Sequence, residues 1–208
     1  MSKPMNTPKI STNIPRLGNG FSQWLGATVI KSLGWQFDGE FPEHPKMVVA
    51  VAPHTSNWDF VIGLAVVFAL KLKISFFGKH SIFIPPFRQL LIRWGGIPIE
   101  RSQSHGVVAQ MIGELKQAKQ MILCVAPEGT RSLIYPWKTG FLHIAQQSKV
   151  PVFLIGLDYK HKKIKLGPVF LPTEDIHLEM QKVYDFYAKV DAKYPSQVAF
   201  PAENSIEE

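Results

Sequence analysis

The sequence predicts a single-domain α/β protein with a mixed, largely parallel sheet flanked by helices. Three observations predict it. Short apolar runs alternate with patterns of helical length; the 208 residues are 46% hydrophobic, enough for one sizeable core; and no internal repeat divides the chain. The candidate strands are apolar continuously and not at every second residue, as in strands covered on both faces. Helical crossovers supply that cover.

In chain order, residues 1–17 are polar and proline-bearing, lack the apolar stretch of a secretory signal, and are expected to be flexible. The domain is expected over residues 18–194. Phe21, Trp24, Leu25, Thr28, Val29 and Leu33 fall at helical spacing, so an amphipathic helix opens it. That helix either docks on its own domain or lies in a membrane interface as an anchor. Residues 47–52, 74–77, 121–125 and 152–157 read as buried strands, bounded by proline, glycine or charge. Residues 60–70, 102–119, 141–148 and 173–189 read as helices. Residues 162–171, turning at Gly167-Pro168, read as a short hairpin at the sheet edge, where proline is tolerated. Residues 195–208 read as a loose tail.

The net charge of +7 is uneven. Between residues 60 and 113 stand Lys71, Lys73, Lys79, Arg88, Arg93 and Arg101 against Glu100 alone, so this apolar stretch carries +5. Such a mixture suits an anionic membrane surface, a phosphate-bearing substrate or a nucleic acid; no nucleic-acid motif accompanies it. The longest apolar run, residues 60–70, is shorter than the roughly 18 residues a spanning helix needs. A cytoplasmic protein, peripheral on the cytoplasmic face of the membrane, is the expectation. The single cysteine, Cys124, excludes a disulfide framework and reads as core packing. The histidines are scattered without ligand spacing, so no metal is expected.

Three stretches carry chemistry. Pro53-His54-Thr55-Ser56-Asn57-Trp58-Asp59 follows a strand and opens a helix, the place where open α/β sheets put their sites. His54 and Asp59 are spaced so that the carboxylate can bond one ring nitrogen and leave the other as a base. Pro127-Glu128-Gly129-Thr130-Arg131-Ser132 leaves another strand as a tight turn, with amides and a guanidinium that suit an anion. Its plain alternative is an ordinary turn with a Glu128–Arg131 ion pair. Gly96-Ile97-Pro98-Ile99-Glu100-Arg101 ends on an arginine that suits a phosphate, or simply water.

Together and in this order the stretches resemble the glycerophospholipid acyltransferase family, of the 1-acylglycerol-3-phosphate acyltransferase type. The family's His-x₄-Asp block matches 54–59, its Gly-x-x-x-x-Arg block 96–101, and its Pro-Glu-Gly-Thr-Arg-Ser block 127–132, followed by Lys138-Thr139-Gly140; Val150-Pro151-Val152 matches a fourth, weaker block. The resemblance implies the acyltransferase fold, with His54 as general base and Asp59 as its orienting acid. It implies that Arg101, Glu128, Gly129, Thr130 and Arg131, with Lys138, hold the acceptor's phosphate or polar head. It further implies an acyl-CoA or acyl-carrier protein donor, a lysophospholipid acceptor, apolar walls from residues 60–70 and 82–94 for the acyl chain, and no cofactor. Pro53 and Trp58 depart from the pattern of many phosphatidate-forming members and bear on the acceptor. Two other readings keep the residues: a thioesterase, with water as acceptor, or a non-catalytic module for anionic lipid.

Overall fold

A computed structural model describes residues 6–99 and 104–201. A seven-stranded sheet runs in the order β1-β7-β6-β2-β5-β3-β4. Its strands are β1 (Gln36–Asp38), β2 (Lys46–Ala52), β3 (Ile74–Lys79), β4 (Gly96–Ile99), β5 (Met121–Val125), β6 (Val152–Asp158) and β7 (Lys163–Phe170). Only β6 and β7 pair antiparallel; every other pair is parallel. Helix α1 (Gly20–Ser32) precedes the strands, α2 (Asn57–Ala69), α3 (Phe87–Arg93), α4 (Ser104–Gln117) and α5 (Gly140–Ser148) lie between them, and α6 (Ile176–Tyr187) follows. This is the mixed, largely parallel α/β fold that the sequence predicts.

The pleat of β2 divides the core in two. Met47 and Val49 join Ile30, Ile62 and Ala69 in one cluster, on the side of α1 and α2. Val48, Ala50 and Ala52 point the other way, into a cluster with Met111, Leu142 and Tyr187 from α4, α5 and α6. A strand so covered needs apolar residues at every position, which is why β2, β5 and β6 are continuous runs.

Four expectations are corrected. The segment expected to be flexible is docked from Ile10 onward: Ile10 packs against the core, Ile14 is buried in it, and the Leu17 and Lys73 amides donate to the Lys71 and Pro15 carbonyls (3.0 and 2.8 Å). The supposed hairpin at Gly167-Pro168 is one strand, because a bulge sets these two residues opposite Leu154; the bulge tolerates proline's missing N–H, and glycine makes room for the Phe186 ring. Nor is β7 an edge strand along its first three residues, which β1 covers; from Leu166 onward, through Gly167-Pro168, it stays at the edge as expected. The loose tail is held as far as Phe200, whose ring stacks 5.7 Å from Trp137.

Helix α1 docks through a different face from the one its apolar spacing marks. Gly26 and Ile30 are buried against α2, while Phe21 and Trp24 are 69% and 61% exposed. Among the described residues no helix is long and apolar enough to cross a membrane.

Candidate active site

Strand β2 delivers the chain to a loop at its C-terminal end, and a helix cap shapes that loop. Ser56 is the N-cap of α2; its hydroxyl accepts from the Trp58 amide (3.1 Å). Asp59, at the third helical position, closes a capping box by accepting from the Ser56 amide (2.7 Å), and Oδ2 also accepts from Thr55 (2.8 Å). The same oxygen lies 3.1 Å from His54 Nδ1. The His-x₄-Asp spacing is therefore capping geometry: it turns a first-turn carboxylate back onto the histidine two residues before the cap. On the other side of the carboxylate, Oδ1 accepts from the Tyr159 hydroxyl at 2.5 Å.

Burial alone would raise the Asp59 carboxyl. The His54 side chain, the Tyr159 hydroxyl and the Ser56 amide outweigh it and hold the group below the usual carboxylate range. Asp59 is thus a charged, buried and fully engaged partner for the imidazole. His54 meets the carboxylate through Nδ1 and lines the cavity described below.

Parallel pairing of β2 with β5 brings the loop after Val125 alongside. Gly129 takes a φ of +64°, which suits glycine, and the Lys138 amide ties the loop back to the Pro127 carbonyl (2.9 Å). The side chains expected to cradle a phosphate divide. Arg131 donates to Asn57 Oδ1 in the first turn of α2 and lines the same cavity as His54. Thr130 accepts from the Ser132 amide within its own turn (3.2 Å). The Lys138 side chain lies against Gly129 and lines a second cavity, beside α5 and α6, not the one with His54. Arg101 lies outside the described residues.

Glu128 corrects the expectation of a headgroup ligand. Its Oε1 accepts the His54 backbone amide (2.8 Å), Oε2 is buried without a partner, and the residue is 5% exposed. It fixes the loop that carries His54. Burial pushes its carboxyl up to about 7, although the His54 amide and ring pull it back. The folded chain therefore holds a proton that the unfolded chain has released between about pH 4.5 and 7, and stability falls as pH rises through that window. Glu128→Gln keeps an acceptor for the amide and should remove about 3 kcal/mol of that fall. Denaturant midpoints at about pH 5 and about pH 8 check it: the wild type should drop more than the variant.

A cavity of about 1080 Å³ begins at His54, Asp59 and Arg131 and runs between the first two helices and the sheet. Phe60, Val67, Phe76 and Leu90 line it, so both predicted apolar walls contribute. Cys124 also faces it, and burial pushes its thiol up to about 12, so it stays protonated and is no nucleophile.

Residues 36–157 match the family model described as Acyltransferase, more than half of the chain. The chain belongs to the acyltransferase family. It is 31% identical over 160 residues to a 1-acyl-sn-glycerol-3-phosphate acyltransferase of Limnanthes alba, covering 73% of this chain and 56% of that protein. A protein of the same name from Cocos nucifera is 29% identical over 133 residues, covering 56% and 43%. The chain thus spans about half the length of these curated relatives. The fold is similar to that of the Thermotoga maritima 1-acyl-sn-glycerophosphate (LPA) acyltransferase, PlsC, with a TM-score of 0.56 and 17% identity over 83% of this chain and 80% of that one.

Several contacts of the site lie beyond the family match and beyond any local sequence signal. Tyr159 follows β6. With its amide oriented so that the nitrogen faces them, the Gln197 side chain donates to the Thr55 and Arg131 carbonyls (2.9 and 3.0 Å), and the Tyr194 amide donates to Thr55 Oγ1 (3.2 Å). The supposed tail thereby joins the two loops that carry His54 and Arg131. Lys193 stacks its ammonium 4.9 Å from the Trp58 ring beside them.

Proposed function

We propose that this protein transfers a fatty acyl group from an acyl thioester to the hydroxyl of a lysophospholipid such as 1-acylglycerol-3-phosphate. The observation that carries this reading is the His54–Asp59 pair at 3.1 Å, set at the mouth of an apolar cavity with Arg131 beside it. Nε2 of His54 takes the proton of the acceptor hydroxyl as its oxygen attacks the thioester carbonyl. Asp59 stabilises the imidazolium that forms. As the tetrahedral intermediate collapses, the carbon–sulfur bond breaks and the thiolate recovers that proton, so no acyl-enzyme is needed. Arg131 offers a guanidinium to the acceptor's phosphate, and the cavity takes an acyl chain. Acyl-CoA and acyl-carrier protein both present the required thioester.

The enzyme works against an anionic membrane surface, on the cytoplasmic face. Phe21, Trp24, Phe60 and Phe87 are all more than half exposed, an unusual outlay of large apolar groups, and Phe21 and Phe60 also line the cavity. Exposed Lys73, Arg88 and Arg93 supply the attraction to anionic headgroups. One experiment tests both statements. The protein is mixed with phosphatidylglycerol vesicles containing 1-acylglycerol-3-phosphate and a radiolabelled acyl-CoA or acyl-carrier protein, then sedimented. It should pellet with the vesicles, and labelled diacyl product should form only when the lysophospholipid is present. Free fatty acid released at the same rate without acceptor would make it a thioesterase, and vesicle binding with no turnover of either donor would make it a lipid-binding module.

A further inference from the structure

We propose that Tyr159 is a positioning residue of the active site, acting on the base through Asp59. The inference rests on the proposed His54–Asp59 chemistry and extends it to a residue a hundred positions away in the chain, outside the segment that matches the family.

The geometry is specific. Asp59 has two oxygens and divides its partners between them: among the described residues, Oδ2 serves the Thr55 and Ser56 amides and His54 Nδ1, and Oδ1 serves Tyr159 alone. The amides hold the carboxylate from the helix side, so the hydroxyl is the contact that stops it rotating away from the imidazole. Tyr159 is itself fixed. Its ring meets Trp35 edge-on at 4.9 Å, and its amide donates to the Asp191 carbonyl (2.8 Å). Burial and the neighbouring carboxylate push its hydroxyl up, so it remains a donor. The charged and titratable groups facing this trio are Glu128 and Arg131 from the loop after β5, and Lys193 and Tyr194 from the segment after α6; Lys193 stands 5.9 Å from the Tyr159 ring. Asp158, the next residue, is turned instead to Lys165 (2.6 Å) and His161 (3.0 Å).

A hydroxyl donating to Oδ1 draws charge away from the oxygen that faces the histidine. Without it, Asp59 holds the imidazolium more tightly and is less well oriented. Tyr159→Phe keeps the ring against Trp35 and removes only the donor. In the vesicle assay kcat should fall about tenfold with both KM values unchanged, and the acid limb of the pH–rate profile should move up by roughly half a unit. In an Asp59→Ala background, where no side chain is left to meet the hydroxyl, the same change should add nothing. A Tyr159→Phe enzyme with the wild-type kcat and acid limb overturns the inference, and so does one that loses thermal stability alone. A second readout is independent of turnover: the downfield proton resonance of the His54 Nδ1 hydrogen bond should be absent in Asp59→Ala and displaced in Tyr159→Phe. If that resonance is unmoved by Tyr159→Phe, the coupling is refuted whatever the enzyme acylates; if it moves while no donor is turned over, only the proposed reaction fails.

Discussion

Purified His54→Ala should lose acyl transfer by about 10³- to 10⁴-fold while folding normally, because it removes the group proposed to accept the proton and return it to the leaving thiolate. The side chain is not needed for the fold. His54 is held by its backbone amide on Glu128 and its ring is part-exposed, so truncation leaves no buried partner stranded except Asp59, which keeps its two amides and Tyr159. Asp59 needs a finer variant. Asp59→Ala would remove the capping-box acid as well as the orienting charge, and the lost cap alone costs about 1 kcal/mol. Asp59→Asn separates the two. Its carbonyl oxygen can accept from Thr55, Ser56 and His54 Nδ1, while its amide can meet the Tyr159 oxygen, so geometry survives and charge does not. Its rate should fall by about 10²-fold or more, with a circular dichroism melt close to wild type. The measurement is acyl transfer to the lysophospholipid at saturating donor. Undiminished activity in both His54→Ala and Asp59→Asn would remove the base from the reaction and leave the cavity with no assigned chemistry.

What the sequence makes legible is what is local. His54, Ser56 and Asp59 lie within six residues, and a strand end followed by a capping box determines their arrangement almost without tertiary help. The long parallel strands are legible for a similar reason, because cover on both faces writes a continuous apolar run. The failures are non-local. β1 is three residues, Gln36–Asp38, and is a strand only because β7 lies beside it. Gly167-Pro168 has the composition of a turn, yet Phe186 and Leu154 decide that it is a bulge. The side chain of Glu128 belongs to a motif of phosphate-binding appearance, but its neighbour across the sheet is the amide of His54, and pattern cannot tell a carboxylate aimed outward from one aimed at a backbone. Tyr159 and Gln197 carry no motif at all. Helix α1 fails for a subtler reason: apolar spacing marks where large side chains go, while the docking face is set by where one is missing.

That missing side chain yields the largest effect expected on stability. At Gly26 an added Cβ would stand 2.5 Å from the Ala65 carbonyl oxygen, 2.5 Å from the Ala69 amide nitrogen and 2.7 Å from Phe68 Cβ. Two of these are backbone atoms of α2, so no rotamer relieves the clash and the helices must separate. Helix propensity argues the other way, since glycine in a helix interior costs about 1 kcal/mol relative to alanine. Overpacking between helix backbones costs about 1–3 kcal/mol for the first methyl and more for a branched side chain. Gly26→Ala should therefore be destabilised on balance, and Gly26→Leu by about 4 kcal/mol or more, as α1 backs away from α2 and uncovers its own buried Ile30 and the Ile62 of α2. Gly113 in α4, with nothing within 4 Å of an added Cβ, provides the control; there alanine should stabilise by up to about 1 kcal/mol. Urea midpoints of the three variants decide the matter, and Gly26→Leu unfolding with the wild type would mean that α1 does not dock through this face. The consequence reaches the site, because Phe21 and Ser22 of α1 line the same cavity as His54. A helix pushed off α2 opens that wall and re-aims Phe21 and Trp24, so glycine at this one position sets both the closure of the apolar cavity and the direction of the exposed aromatic face.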